Sequence, residues 1–213
     1  MIDLIKNMWL SGIGNKIFVI CGALIAVGSV GGVIWVIVRV IRKENDAAFA
    51  KTPSGQPLHW KASDFPLNVF LDPVFPEEYI AASRMVVSQI NHFIGKEVFG
   101  YASIWALEKE LNSVKDLPHA TIYMGTDSPD EHMGGSNTYE YNPTSGEMDA
   151  CYIKVTSGFE NDVLITVTRH ELGHALGLDH DREIRASVMY PESSGRAKDF
   201  TEEDKKRLRS KYA

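Results

Sequence analysis

Residues 170–180 read His170-Glu171-Leu172-Gly173-His174-Ala175-Leu176-Gly177-Leu178-Asp179-His180. On an α-helix, positions four apart are offset by about 40°, so His170 and His174 project from one face and can bind one ion. Glu171 sits beside them. Gly177 can adopt a positive φ, which ends the helix and turns the chain so that His180 meets the same ion from the far side. Three neutral imidazoles leave one position of a tetrahedral zinc site open for water, which distinguishes a catalytic site from a closed structural one. A carboxylate that is not a ligand can take that water's proton and pass it to a leaving amine, and Glu171 is placed to be this general base. The expected cofactor is one catalytic Zn2+ held by His170, His174 and His180.

The composition agrees with that donor set. The 213 residues include only two cysteines, Cys21 and Cys151, too few for a disulfide scaffold or a thiolate zinc ribbon, whereas there are seven histidines. With 44% apolar and 23% charged residues the chain can form a core and is not a disordered polymer. From Leu58 onward it carries 16 basic and 25 acidic residues, a net charge of −9, with no basic stripe interleaved with aromatics. A nucleic-acid partner is excluded on that balance.

Around the zinc motif the chain alternates strand and helix patterns. Leu67–Leu71 has a β-rich make-up ended by Asp72-Pro73. Pro76, Glu77 and Glu78 suit a helix start, and Ala82, Val86, Ile90 and Phe93 fall at helical spacing, predicting a helix to about Val98. Thr121–Met124 reads as a short strand. Asn137–Tyr141 and Ala150–Val155 flank the turn Asn142-Pro143-Thr144-Ser145-Gly146 and predict an antiparallel pair. Helices are expected over Asn161–Gly177 and Thr201–Tyr212, the second opened by Thr201 and Asp204 as a capping box.

The motif continues past His180 into Ser187-Val188-Met189-Tyr190-Pro191. Together these residues resemble the metzincin zinc site with its Met-turn, and the details His-Glu-Leu-Gly-His-Ala-Leu-Gly-Leu-Asp-His and Val-Met-Tyr-Pro resemble the matrixin branch, the matrix-metalloproteinase catalytic domain and its microbial relatives. The likeness runs from Leu67 to Tyr212, with the specific motifs confined to Thr168–Tyr212. It implies an α+β metzincin fold, a twisted mixed sheet with long helices, zinc helix, Met-turn and C-terminal helix, over residues 58–213. It also implies a zinc-dependent endopeptidase acting on peptide or protein substrates. Met189 would form a hydrophobic floor beneath the zinc, and Tyr190 and Pro191 a wall of the S1′ pocket. Thr166 would sit near that pocket's base and favour an apolar P1′ residue, unless Arg196 or Lys198 reaches in and favours an acidic one. The strand at Ala150–Val155 would pair with an extended substrate.

The sequence also departs from that family. No cysteine-switch propeptide motif is present. His119, Asp127, Asp130 and His132 do not have the spacing of the animal matrixins' structural zinc cluster, so a second zinc or calcium is not expected. Asp179 or Asp181 could orient a ligand imidazole, or be a solvated carboxylate. Cys151, His59 and His92 read as structural. Two other functions stay open: a catalytically silent metzincin-fold domain that binds a peptide or protein, and a metallohydrolase of non-peptide amides. Against the first, the base and all three ligands are intact; the second does not predict the Met-turn.

In front of this domain, after a tail of residues 1–16, Ile17–Val38 runs 22 residues without a charge. As a helix it spans roughly 33 Å, matching a bilayer core of about 30 Å. Residues 17–42 are therefore expected to be a single-pass transmembrane helix in contact with lipid, joined by a polar tether, 43–57, to the catalytic domain. Gly28 and Gly32 form a GxxxG pair that could support a weak homodimer through this helix. Lys6 and Lys16 before the segment, and Arg39, Arg42 and Lys43 after it, lean toward a cytoplasmic C-terminal side without deciding it. The competing reading is a signal peptide cleaved behind Ala48-Phe49-Ala50, although its apolar part should be only about 7–15 residues long. The full chain should fractionate with membranes and resist alkaline carbonate; its recovery as a soluble protein with a new N-terminus near Ala50 would establish the signal peptide instead.

Overall fold

The computed structural model describes residues 49–105, 113–127, 134–191 and 198–213, all within one compact unit, Ala48–Ala213. The expected membrane helix and its glycine pair lie outside the described residues, as do Asp130, His132 and Arg196. Among the described residues no helix is long and apolar enough to cross a membrane.

The elements follow as β1 (Asn68–Leu71), α1 (Glu77–Ile94), β2 (Ser103–Ile104), β3 (Thr121–Asp127), β4 (Gly135–Tyr141), β5 (Met148–Thr156), α2 (Asn161–Ala175) and α3 (Glu202–Tyr212). The sheet has the order β2-β1-β3-β5-β4. Its pairings are parallel except for β4 with β5. This is the mixed sheet with helices expected of an α+β chain. Val69 and Leu71 alternate inward from β1, and Ile122, Met124, Cys151, Ile153 and Val155 line the core from β3 and β5. Helix α1 adds Ile80, Val86, Ile90 and Ile94, at helical spacing. It packs on α2, which lies against β4 and β5.

Several elements differ from expectation. Helix α1 stops at Ile94, before Val98, because Gly95 takes φ 80° and donates its N–H to the Asn91 carbonyl. The Asn91 side chain then receives the Val98 and Phe99 amides, both at 3.0 Å, and folds the chain back toward β1. The third strand runs on to Asp127, and the two-residue strand β2 is too short to carry a periodic signal. The antiparallel β4–β5 pair forms. However, β5 lies between β3 and β4, so both of its edges are already hydrogen-bonded and Ala150–Val155 cannot pair with a substrate. The terminal strand on that side of the sheet is β4.

The largest difference concerns the tether. Residues 49–57 are tied to the domain, with Phe49 1% exposed and Thr52 buried, although Lys51 and residues 53–56 stay at the surface. Phe49 bridges Leu178, and the Ala50 amide donates to the Gly177 carbonyl at 2.9 Å. Farther along, the Trp60 indole donates to the Ala175 carbonyl at 2.7 Å, and His59 exchanges backbone bonds with the Gly146 and Met148 region. Polar composition hid this wrap because Phe49 is the one large apolar anchor within 49–57, and Leu58 and Trp60 follow only where the domain was already expected to begin.

His119 fastens the wrap to the sheet. Its Nδ1 pairs with Asp149 on β5, and its Nε2 lies 3.2 Å from Oδ1 of Asp64 in the 3-10 turn Ala62–Asp64. The bond to Asp149 raises the His119 pKa, with partial burial opposing and Asp64 assisting. A raised folded-state value means that the clamp stabilises fully below the ordinary histidine pKa of about 6.5, and that this contribution is lost as pH rises through the raised value. The difference in melting temperature between wild type and His119→Gln should therefore be largest in mild acid and narrow above neutrality. A gap that is constant or widens with pH would show that the imidazolium contributes nothing.

Candidate active site

Helix α2 delivers His170 and His174 from adjacent turns and ends in a glycine-dependent reversal. Gly177 has φ 85°. Its N–H donates to the His174 carbonyl at 2.6 Å, while the Leu178 N–H returns to Gly173 at 3.1 Å. This pair of bonds is a Schellman closure. Any Cβ at position 177 would also fall 2.5 Å from the Leu58 carbonyl oxygen of the N-terminal wrap. The reversal carries His180 back over the helix.

The three Nε2 atoms converge, at 3.0 Å for His170 with His174 and 3.2 Å for each of these with His180. A tetrahedral zinc with Zn–N bonds of about 2.05 Å would hold its nitrogens about 3.3 Å apart. The protonation pattern fits a cation as well. His170 Nδ1 donates to the Val188 carbonyl and His174 Nδ1 to the Leu178 carbonyl, both at 2.7 Å. A carbonyl only accepts, so the proton of each neutral ring is on Nδ1 and the lone pair is on Nε2. Lone pairs facing one another at this distance repel unless a cation lies between them. Burial lowers the pKa of all three rings, that of His174 to about 3, which keeps them neutral. Among the described residues this is the group of histidine, cysteine and acidic side chains able to hold a metal ion.

Glu171 follows His170 on α2 and is buried at 3% exposure, with its carboxylate facing Gly135 and Asn137 of β4. Burial raises its carboxyl to about 8, against a hydrogen bond from Asn137 that lowers it. A dication at the histidines would act in the same direction as Asn137.

Met189 is buried under α2. A Cβ at Gly173 would meet its Sδ at 2.5 Å, so the glycine leaves room for the thioether. The turn that carries it is tied to α3: the Ser187 hydroxyl donates to Asp204 Oδ2 at 2.8 Å and accepts the Met189 N–H at 2.9 Å. Asp204 is the capping-box partner of Thr201, as the sequence suggested. Tyr190 and Pro191 follow, half-buried, with Lys198 Nζ 5.1 Å from the Tyr190 ring centre. Thr166 is buried one helical turn before His170. Its hydroxyl donates to the Asp162 carbonyl and accepts the Lys198 N–H at 3.0 Å, so Thr166 and Tyr190 meet through Lys198. Residues 192–197, between them in sequence, lie outside the described residues.

Neither aspartate beside His180 orients a ring. Asp179 accepts the His180 backbone N–H at 2.7 Å. Asp181 accepts the Glu183 and Ile184 amides and pairs with Arg207 at 2.8 Å. The orienting acceptors are main-chain carbonyls, which carry no sequence signal. His119 is engaged by Asp64 and Asp149. Sequence reasoning missed two residues of β4: Asn137, whose amide reaches Glu171, and Tyr139, whose hydroxyl donates to the His174 carbonyl at 3.2 Å. Each lies more than 30 positions from its partner, and no local pattern announces either.

Removing one of three ligands leaves an incomplete site. His174→Ala should therefore abolish stoichiometric zinc binding measured by elemental analysis, with the fold retained by circular dichroism. Undiminished zinc in that variant would overturn the assignment of this centre.

The family model described as Matrixin, peptidase family M10, matches residues 82–213. Among solved structures the chain is similar to high choriolytic enzyme 1, a hatching enzyme zinc-protease from the medaka fish Oryzias latipes. The identity is 12% over 63% of this chain and 51% of that one, with a TM-score of 0.29. The chain thus spans about half the length of that enzyme. No curated protein matches the sequence.

Proposed function

This chain belongs to the matrixin family of zinc metallopeptidases, and from that premise we propose that it is a membrane-anchored, zinc-dependent endopeptidase with His170, His174 and His180 as ligands and Glu171 as general base. The observation that carries the reading is the convergence of three histidine Nε2 atoms, two of whose rings are aimed by main-chain carbonyls, with the buried Glu171 following His170 on the same helix.

Zinc, when bound, supplies the Lewis acidity that acidifies water and polarises a carbonyl. The chain's own residues account for the rest. An extended peptide can add to the outer edge of β4, antiparallel to the strand, with main-chain hydrogen bonds holding it in register. Glu171 takes a proton from water as the water oxygen bonds to the scissile carbonyl carbon. It returns that proton to the amide nitrogen as the C–N bond breaks, and the remaining hydroxyl proton of the new carboxyl passes to the released amine, so the products are a carboxylate and an ammonium. Tyr190, Pro191 and Thr166 border the space for the P1′ side chain. The small, already hydrogen-bonded Thr166 favours an apolar residue there, whereas Lys198 beside Tyr190 favours an acidic one. The uncharged run Ile17–Val38 supports anchoring in a bilayer.

Profiling the full chain on a library of quenched fluorescent peptides, with and without a zinc chelator, tests the reading. Chelator-sensitive cleavage with a graded P1′ preference is expected, because one methylene in such a pocket is worth only about 1–3 kcal/mol. Glu171→Gln should retain zinc and lose roughly 10²–10⁴ in rate. Wild-type turnover in that variant would remove Glu171 as the base, and zinc retention without any cleavage by the wild type would favour a silent binding domain.

A further inference from the structure

Glu171 is held from the edge of the sheet as well as by its own helix. The Asn137 amide nitrogen donates to Glu171 Oε2 in a short hydrogen bond and lies 3.2 Å from the Glu171 backbone carbonyl, so one NH2 group grips the residue at both ends. The other end of the amide faces Cys151, whose Sγ is 3.0 Å from Asn137 Oδ1. These partners fix the amide's orientation. A carboxylate and a carbonyl only accept, while a buried thiol that keeps its proton can donate, so the flipped amide would set three acceptors against one another. The strand also comes close to the carboxylate: a Cβ at Gly135 would lie 2.7 Å from both Cγ and Oε1 of Glu171. Oε1 has no hydrogen-bond partner among the described residues.

We propose that Asn137 is a positioning residue for peptide hydrolysis, its amide locked by the Cys151 thiol so that it holds Glu171 by Oε2 and leaves Oε1 as the oxygen that takes the proton. The inference rests on the reading of Glu171 as general base. It gives a role to the polar pair behind the carboxylate, the half-buried Asn137 and the fully buried Cys151. It also links the strand proposed to receive substrate directly to the group that acts on it.

The test uses the detergent-solubilised, zinc-loaded full chain and the quenched peptide that wild type cleaves fastest. Asn137→Leu keeps the volume without a donor, and Asn137→Ala removes the side chain without crowding. Each should lower kcat about 10–100-fold, with KM within about twofold of wild type and zinc content unchanged. In a Glu171→Gln background, Asn137→Leu should add little further loss, because its effect passes through the carboxylate. Wild-type kcat in either folded variant, a rise in KM alone, zinc loss in step with kcat, or an undiminished effect in the Glu171→Gln background would each overturn the proposal. Wild-type kcat in Glu171→Gln alone would instead overturn the base assignment, and the proposal with it.

Discussion

Two hydrogen bonds of 2.7 Å, from His170 Nδ1 to the Val188 carbonyl and from His174 Nδ1 to the Leu178 carbonyl, aim the rings on which the centre depends. Much of the surrounding structure serves to hold those carbonyls still. Leu178 is placed by the reversal at Gly177. Val188 is placed by the Ser187–Asp204 bond and by its own N–H to the Asp199 carbonyl. The carbonyls left open at the end of α2 are taken by donors from elsewhere, Trp60 for Ala175, Tyr212 for Leu176 and Ala50 for Gly177, and Tyr139 adds a second donor to the His174 carbonyl that Gly177 already engages. A helix end without such partners frays, and its last turn carries His174 here. The N-terminal wrap and the C-terminal helix are therefore part of the site's support.

Burial around Glu171 works in two directions. Removing water makes each remaining polar contact stronger, and it also makes an unpaired charge costly. The carboxyl is accordingly pushed toward its neutral form by burial and back toward its charged form by Asn137. A cation held by the three converging Nε2 atoms would add to the second effect. In the proposed role of general base, where the carboxylate would both hold and release a proton, such opposed influences help.

The parts of the site legible from sequence are those written in local spacing. His170 and His174 share a helix face, Gly177 supplies the turn, His180 lies three residues farther on, and Thr201 with Asp204 announces α3. The β4–β5 hairpin was legible from its turn for the same reason. What escaped depends on pairing between distant segments. The resemblance implies that Ala150–Val155 pairs with substrate, but strand order follows from how β3 adds to β5, and no segment encodes that alone. Phe49 looked like part of a tether because its burial comes from a bridge to Leu178, 129 positions away. Asn137 attracted no notice because an asparagine in a polar strand is unremarked until Glu171 and Cys151 are beside it.

The acceptors that aim the two rings belong to the main chain, and every residue type carries a carbonyl. Positions 178 and 188 can accordingly drift in side-chain identity, within what the core accommodates, without cancelling the hydrogen bonds made there. Insertions and deletions are another matter. A residue more or fewer beside Gly177 would displace the Leu178 acceptor, and one beside Ser187 would displace the Val188 acceptor, so these two turns are constrained in length more tightly than in composition.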